Sequence, residues 1–159
     1  MSLEAVTLDH LPASHKVYVA LFRDVQNAAF LHQQLLARNP EFEYAFIDAS
    51  VVSSISDAYR RYGISPSTKD LIVVKVTFPG EDGAEPLTQD QIWEHLKTNV
   101  QGEALSTTDE QISTATDLPK VRKYYKLNGL KWLDDIKDEK VKQKEMESLV
   151  IGAMALRGV

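Results

Sequence analysis

The sequence contains no cysteine, and this absence excludes several kinds of structure and chemistry. Without thiols the chain can form neither a disulfide framework nor a thiolate metal site, and it cannot use a cysteine nucleophile. Long apolar runs are also missing, because no segment approaches the ~18 apolar residues that a membrane-spanning helix requires. Residues 1–15 carry acidic side chains and lack the basic start and apolar core of a secretory signal. We therefore expect no secretion and no membrane insertion.

Sequence motifs for catalysis are equally scarce. The seven glycines form neither G-x-G-x-x-G nor G-x-x-x-x-G-K, so no phosphate-binding loop of a kinase or NTPase is encoded. No serine lies in a G-x-S-x-G elbow. The four histidines lack the spacing that brings two ligands to one metal, and we interpret them as incidental. The sequence thus predicts a protein with no catalytic residues, metal or cofactor.

The chain contains enough hydrophobic residues to form one core. The chain has 159 residues, of which 43% are hydrophobic, and this predicts a single domain over residues 1–159. β-Prone runs predict strands over 16–22, 43–47, 71–78 and 103–105. Helical patterns predict helices over 27–38, 54–63, 88–100, 118–127 and 145–156, with a weak turn at 109–112. The expected fold class is α/β, a small mixed sheet flanked by helices.

Two segments lack a clear periodicity. Residues 80–87 contain glycine, proline and acidic side chains and predict an acidic loop. Residues 128–144 are predicted to form a charged, mobile insertion. Within it, residues 134–144 hold many charges and few apolar side chains, so we predict a mobile loop or an exposed helix there rather than core.

The last predicted helix is unusual because Leu149–Leu156 contains no polar residue. At helical spacing Leu149 and Ala153 share one side, whereas Ile151 and Met154 lie on the other. Two explanations remain open, namely burial of both sides in the protein's own core and coverage of one side by a partner. Under the second explanation, Ile151 and Met154 are candidate partner-binding residues, with Arg157 at the end of the helix.

Charge is distributed unevenly along the chain. Residues 120–144 hold nine of the eighteen basic residues and four acids, so this segment carries +5 within a chain of net charge −5. A solvated surface explains such a segment, as does a phosphate-binding patch. Candidate nucleic-acid-binding residues are Lys120, Lys123 and Lys126, together with Arg60 and Arg61, which stand among tyrosines able to stack on bases.

Several blocks of sequence resemble a known family. HKVYVALFRDVQNAAFL, ISDAYRRYGI, LIVVKVTF, LPKVRKYYKL and ALRGV are similar to the PRPK-binding (TPRKB) family, a small subunit of the KEOPS/EKC complex. The resemblance implies a non-catalytic protein that binds a small atypical protein kinase. It also implies indirect association with the other subunits, a part in threonylcarbamoyladenosine modification of tRNA and in telomere maintenance, and a cytoplasmic and nuclear location. In the family this subunit helps to hold tRNA.

The chain departs from the family pattern at one place. Family members have a further helix and strand between the blocks that match YAFIDASVV and ISDAYRRYGI, whereas here these blocks nearly abut after Val52. Such a helix and strand need ~30 residues. We therefore predict that an internal segment is missing.

Two other classes of function remain as alternatives. The +5 segment favours a stand-alone RNA-binding module. A small enzyme with an unrecognised site is the second alternative.

Overall fold

The computed structural model describes residues 2–9, 11–51, 63–80 and 84–155. The strands in this part of the chain are β1 (Leu3–Val6), β2 (Lys16–Arg23), β3 (Ala45–Asp48), β4 (Leu71–Thr77) and β5 (Glu103–Leu105). The helices are α1 (Ala28–Leu36), α2 (Gln89–Asn99), α3 (Asp109–Ala115), α4 (Leu118–Tyr124), α5 (Lys131–Asp134) and α6 (Glu139–Ala155). Short 3₁₀ turns form at Pro40–Phe42 and Ala49–Val51. The predicted α/β class is confirmed.

The strands form one sheet with β2 and β4 at its centre. β4 pairs with β2 on one side and with β3 on the other, while β1 and β5 pair with successive parts of the free edge of β2. All these pairs are antiparallel, whereas the sequence predicted a mixed sheet. The reason is the position of β4. It lies antiparallel between β2 and β3, so these two strands point the same way without pairing.

The two faces of the sheet bury different side chains, because successive residues of a strand point to opposite sides. On the first face, Tyr18, Ala20 and Phe22 pack against α1 and α2. The second face includes Leu21 and Ile72, which pack against α3 and the Ala49–Val51 turn. A third apolar cluster joins α4 and α6 and contains Val121, Tyr125, Leu127 and Met146.

Two predicted helix starts differ in how they are capped. The Thr88 hydroxyl accepts a hydrogen bond from the Gln91 backbone N–H, and the Gln91 side chain in turn accepts from the Thr88 N–H, so a capping box forms at the predicted start of α2. Asn27 precedes α1 but does not cap it. Its side chain instead donates to the Asn99 carbonyl and accepts from the Gln101 N–H, so it ties the start of α1 to the end of α2.

Several boundaries differ from the sequence prediction. β1 was not predicted, because its four residues contain no long β-branched run and form a strand only through pairing with β2. α3 extends to Ala115, and α6 begins at Glu139. Residues 139–144 thus form the exposed-helix alternative, while Leu133, which precedes the 134–144 stretch, is fully buried.

The predicted helix over 54–63 lies outside the described residues except for its last glycine. Gly63 forms an isolated antiparallel bridge with Ile47, on the edge of β3 that β4 leaves free. The described residues of the predicted acidic loop, Gly80 and 84–87, belong to neither helix nor strand.

Candidate functional site: an apolar groove and a basic helix

Helix α6 buries one side and exposes the other. Met146 is buried in the third cluster, and Leu149, Val150 and Ala153 pack against the same cluster. Ile151 points away and keeps 64% of its surface exposed. This division follows from helical geometry, since residues three or four apart lie on the same side. The predicted inward orientation of Leu149 and Ala153 is confirmed, as is the outward orientation of Ile151.

A groove of about 730 Å³ runs between α3, α4 and α6. Its walls include apolar side chains from all three helices, which are Ile112, Leu118, Val121, Met146, Val150 and Ile151. Polar side chains complete the lining, and Asp109 and Glu147 give it an acidic character. The Glu147 carboxylate accepts a hydrogen bond of 3.0 Å from the Gln143 amide, which also lines the groove. Such a surface suits an apolar polypeptide segment flanked by basic residues.

The structure describes only some of the three predicted partner-binding residues in full. Ile151 lines the groove and is accessible. Met154 belongs to α6, but its side chain is not described, and Arg157 lies outside the described residues. The sequence did not reveal the wall that α3 contributes. Leu118, at the start of α4, is half-exposed in the groove.

Local hydrogen bonds fix the start of α4 beside the end of β3. Asp117 caps the helix by accepting from the Lys120 backbone N–H, and Pro119 occupies the first turn. The Asp117 N–H donates to the Ser50 carbonyl, while the Ser50 side chain donates to Asp48. These contacts hold the groove-lining and basic residues of α4 against the sheet.

The predicted basic residues of α4 differ in their surroundings. The Lys120 ammonium group donates to the Ser50 hydroxyl at 3.2 Å and lies 3.7 Å from an Asp117 carboxylate oxygen, so it already has protein partners. Lys123 and Lys126 are exposed and form no ion pair with any described residue. The other basic residue of the helix, Arg122, forms a 2.5 Å bond with Asp134 and is mostly buried. The basic surface is therefore smaller than the charge count suggests. Arg60 and Arg61 lie outside the described residues.

One histidine is structural rather than incidental. His95 on α2 stacks on Tyr44 and contacts the edge of Phe42. Burial lowers the pKa of His95, an effect that the Lys75 charge reinforces and the Glu41 charge opposes. Burial also raises the pKa of Tyr44 to about 12.

No group of three potential metal-ligating side chains occurs within the described residues. Among the helices in the same residues, none is long and apolar enough to cross a membrane.

Comparison with known proteins gives a consistent result. The family model described as "Kinase binding protein CGI-121" matches residues 22–55 and 50–158. A protein from Gibberella zeae named "EKC/KEOPS complex subunit CGI121" is 73% identical, with all of both chains covered. The subunit of the same name from Neurospora crassa is 41% identical, again over all of both chains. That from Aspergillus terreus is 37% identical over 99% of this chain and 97% of its own.

The same comparisons locate a missing segment. The alignment with the Gibberella zeae protein spans 197 positions, whereas this chain has 159 residues, so part of the relative has no counterpart here. The two matches to the family model meet at residues 50–55, which places the break where the sequence predicted it. Both matches together cover most of the chain. The chain therefore belongs to the CGI-121 family of kinase-binding proteins.

Proposed function

We propose that this chain is a non-catalytic subunit of the KEOPS/EKC complex and that it binds the small atypical protein kinase of that complex. Support comes from the description of the family as kinase-binding and from relatives named as subunits of the complex. The structural observation that carries the proposal is the accessible Ile151 in the groove between α3, α4 and α6.

The groove is the proposed kinase-docking site. An apolar groove binds a partner helix or extended segment by burying apolar side chains, while its polar rim selects partners by charge. Asp109 and Glu147 favour a kinase segment that carries lysine or arginine beside its apolar residues. Met154 and Arg157 remain proposed partner-binding residues of the same interface.

The finer parts of the function rest on the family resemblance and on the basic helix. In this proposal the subunit regulates the kinase, supports threonylcarbamoyladenosine modification of tRNA, and contributes to telomere maintenance in the nucleus and cytoplasm. Lys123 on α4 and Lys126 in the turn after it would contact tRNA phosphates directly, with Lys120 beside them. Arg60 and Arg61 are proposed to assist from another part of the chain.

Co-purification with the kinase tests the function directly. We expect the tagged chain to retain the purified kinase through gel filtration, and the absence of a joint peak at micromolar concentrations would refute the proposal.

A stand-alone RNA-binding module is the second candidate, since +5 charge lies within 120–144. It requires salt-dependent tRNA binding by the isolated chain, without the kinase. Catalytic turnover by the isolated chain would instead indicate an enzyme.

A further inference from the structure

Part of the second face of the sheet carries exposed apolar side chains. Val6 lies opposite Val17, and Val17 lies opposite Val76, so all three point to the same face. Val6 is 41% exposed and Val76 is 42% exposed, and Phe78, which follows the end of β4 and stacks on His15, is 56% exposed. We call Val6, Val76 and Phe78, with the partly buried Val19 and Val74 beside them, the valine face.

Another part of this face is covered. Leu21 and Ile72 are buried there by Ala115 of α3 and by Ala49 of the 3₁₀ turn. Val19 and Val74 border this cluster, and beyond them Val17 is buried, whereas its neighbours Val6 and Val76 on the two adjacent strands stay about two-fifths exposed. Several adjacent exposed apolar side chains on a β-sheet are unusual in a free soluble domain and mark a binding surface.

The position at which the relatives carry additional residues lies next to this same face. Ala49 is fully buried in the cluster on the second face, and the two family matches meet directly after it, at residues 50–55. Further along the chain, Gly63 pairs with Ile47 at the edge of β3. A segment inserted between residues 50 and 55, where the family matches meet, therefore starts next to the covered part.

The dimensions allow such a segment to reach the exposed part. Six residues separate Ile72 from Phe78 along the extended chain, a distance of roughly 20 Å at about 3.4 Å per residue. A helix of about four turns has the same length. The Gibberella zeae protein, whose alignment with this chain spans 197 positions, has enough additional residues for a helix of that length.

We propose that the valine face is the binding surface for the segment that the relatives carry at this position and that this chain lacks. The ligand is thus a polypeptide with one apolar side, which a relative supplies in cis and which this chain can bind in trans. Binding removes the exposed valine and phenylalanine side chains from water, and this burial is the driving force.

A synthetic peptide provides the test. It consists of the positions of the 73%-identical relative that have no counterpart in this chain. Calorimetric titration of the full chain with this peptide should show saturable 1:1 binding and a raised melting temperature. The variant with Val76→Asp and Phe78→Ser should bind at least about tenfold more weakly. Ile151→Glu, in the groove, is the matched control and should leave peptide affinity unchanged.

Because Val76 is half-exposed, Val76→Asp is expected to fold, and circular dichroism and the melting temperature verify this. The milder Val76→Thr should weaken binding less and guards against a folding defect. No binding by the wild-type chain, or equal affinity in the valine-face variant, would overturn the proposal. Loss of affinity in Ile151→Glu would place the peptide in the groove instead. A wild-type dimer that Val76→Asp converts to monomer would identify a second copy as the occupant.

Discussion

The Tyr44 hydroxyl lies 3.0 Å from Nδ1 of His95 and so joins the residue before β3 to α2 on the first face of the sheet. The two rings also stack, with their centroids 5.6 Å apart. Both groups are partly withdrawn from water, which disfavours the imidazolium and the phenolate. The contact therefore depends on both side chains remaining neutral.

Stability should depend on pH through this pair. The pKa of His95 is lower in the folded chain than the ~6.5 of an unfolded chain, so the unfolded state binds a proton first as the pH falls. The free energy of unfolding should be highest above pH ~6.5 and decrease below it. Urea unfolding at pH 7.5 and below pH ~6 measures this, and His95→Gln should reduce the decrease. An unchanged pH dependence in His95→Gln would contradict this role.

The same reasoning gives the opposite trend at alkaline pH. Tyr44 has a pKa of about 12 in the folded chain, against 10.0 for a free tyrosine side chain. Stability from the neutral phenol is complete below pH ~10 and is lost as the pH rises towards ~12. Tyr44→Phe should remove this part of the alkaline loss. The difference in the free energy of unfolding between wild type and Tyr44→Phe, measured across this alkaline pH range, checks the prediction.

The capping box of α2 should contribute measurably to stability. Thr88→Ala removes the hydroxyl that accepts from the Gln91 N–H, and we expect a loss of about 1 kcal/mol in the free energy of unfolding. Thr98→Ala on the same helix is the control. Its hydroxyl donates only to the Glu94 carbonyl on an exposed surface, so its effect should stay within about 0.5 kcal/mol. Equal losses in the two variants would show that the cap has no special role.

The sequence predicted the elements with a strong local pattern. The β2 run alternates apolar residues on both faces, and it occupies the interior of the sheet as expected. Thr88 and Gln91 identified the start of α2 because a capping box acts over three residues. Ile151 was placed on the outer side of α6 by helical spacing alone. Each of these inferences depends on neighbours in sequence.

The features that escaped prediction depend on distant residues. β1 forms because Leu3 and Val6 pair with Ala20 and Val17 of β2, a contact that no short motif encodes. The antiparallel sheet results from the position of β4 between β2 and β3. The groove needs α3 to pack near α6, and α3 appeared in the sequence only as a weak turn.

Binding to tRNA should depend on the lysines of α4 and of the turn after it. Replacing Lys120, Lys123 and Lys126 by Glu should weaken tRNA association and reduce its salt dependence by about 0.9 for each phosphate that is no longer bound. Thermal stability and kinase binding should change little, since the affected ion pair is exposed. The matched control replaces Lys16, Lys69 and Lys97, which are equally exposed but lie outside the basic segment. If both triple variants lose the same affinity for tRNA, the binding depends on the net charge of the chain and not on the position of these lysines.

The two sides of α6 should tolerate charge differently. Leu149 packs against the cluster of Val121 and Met146, so Leu149→Glu places a carboxylate among apolar side chains. We expect it to lower the free energy of unfolding by about 2–4 kcal/mol. Ile151→Glu should change it by less than about 1 kcal/mol, because the side chain is already exposed. Urea denaturation distinguishes the two, and a large loss in Ile151→Glu would mean that this side is also part of the core.

The affinity of the kinase for this chain and for two α6 variants tests the central claim most directly. Ile151 lines the groove, whereas Val141 on the same helix is exposed outside its lining. Calorimetric titration of the purified kinase should give tight binding to the wild-type chain and to Val141→Glu. Binding to Ile151→Glu should be weaker by at least about tenfold. Equal affinity for all three proteins would contradict docking at the groove, and no affinity for the wild-type chain would contradict kinase binding itself.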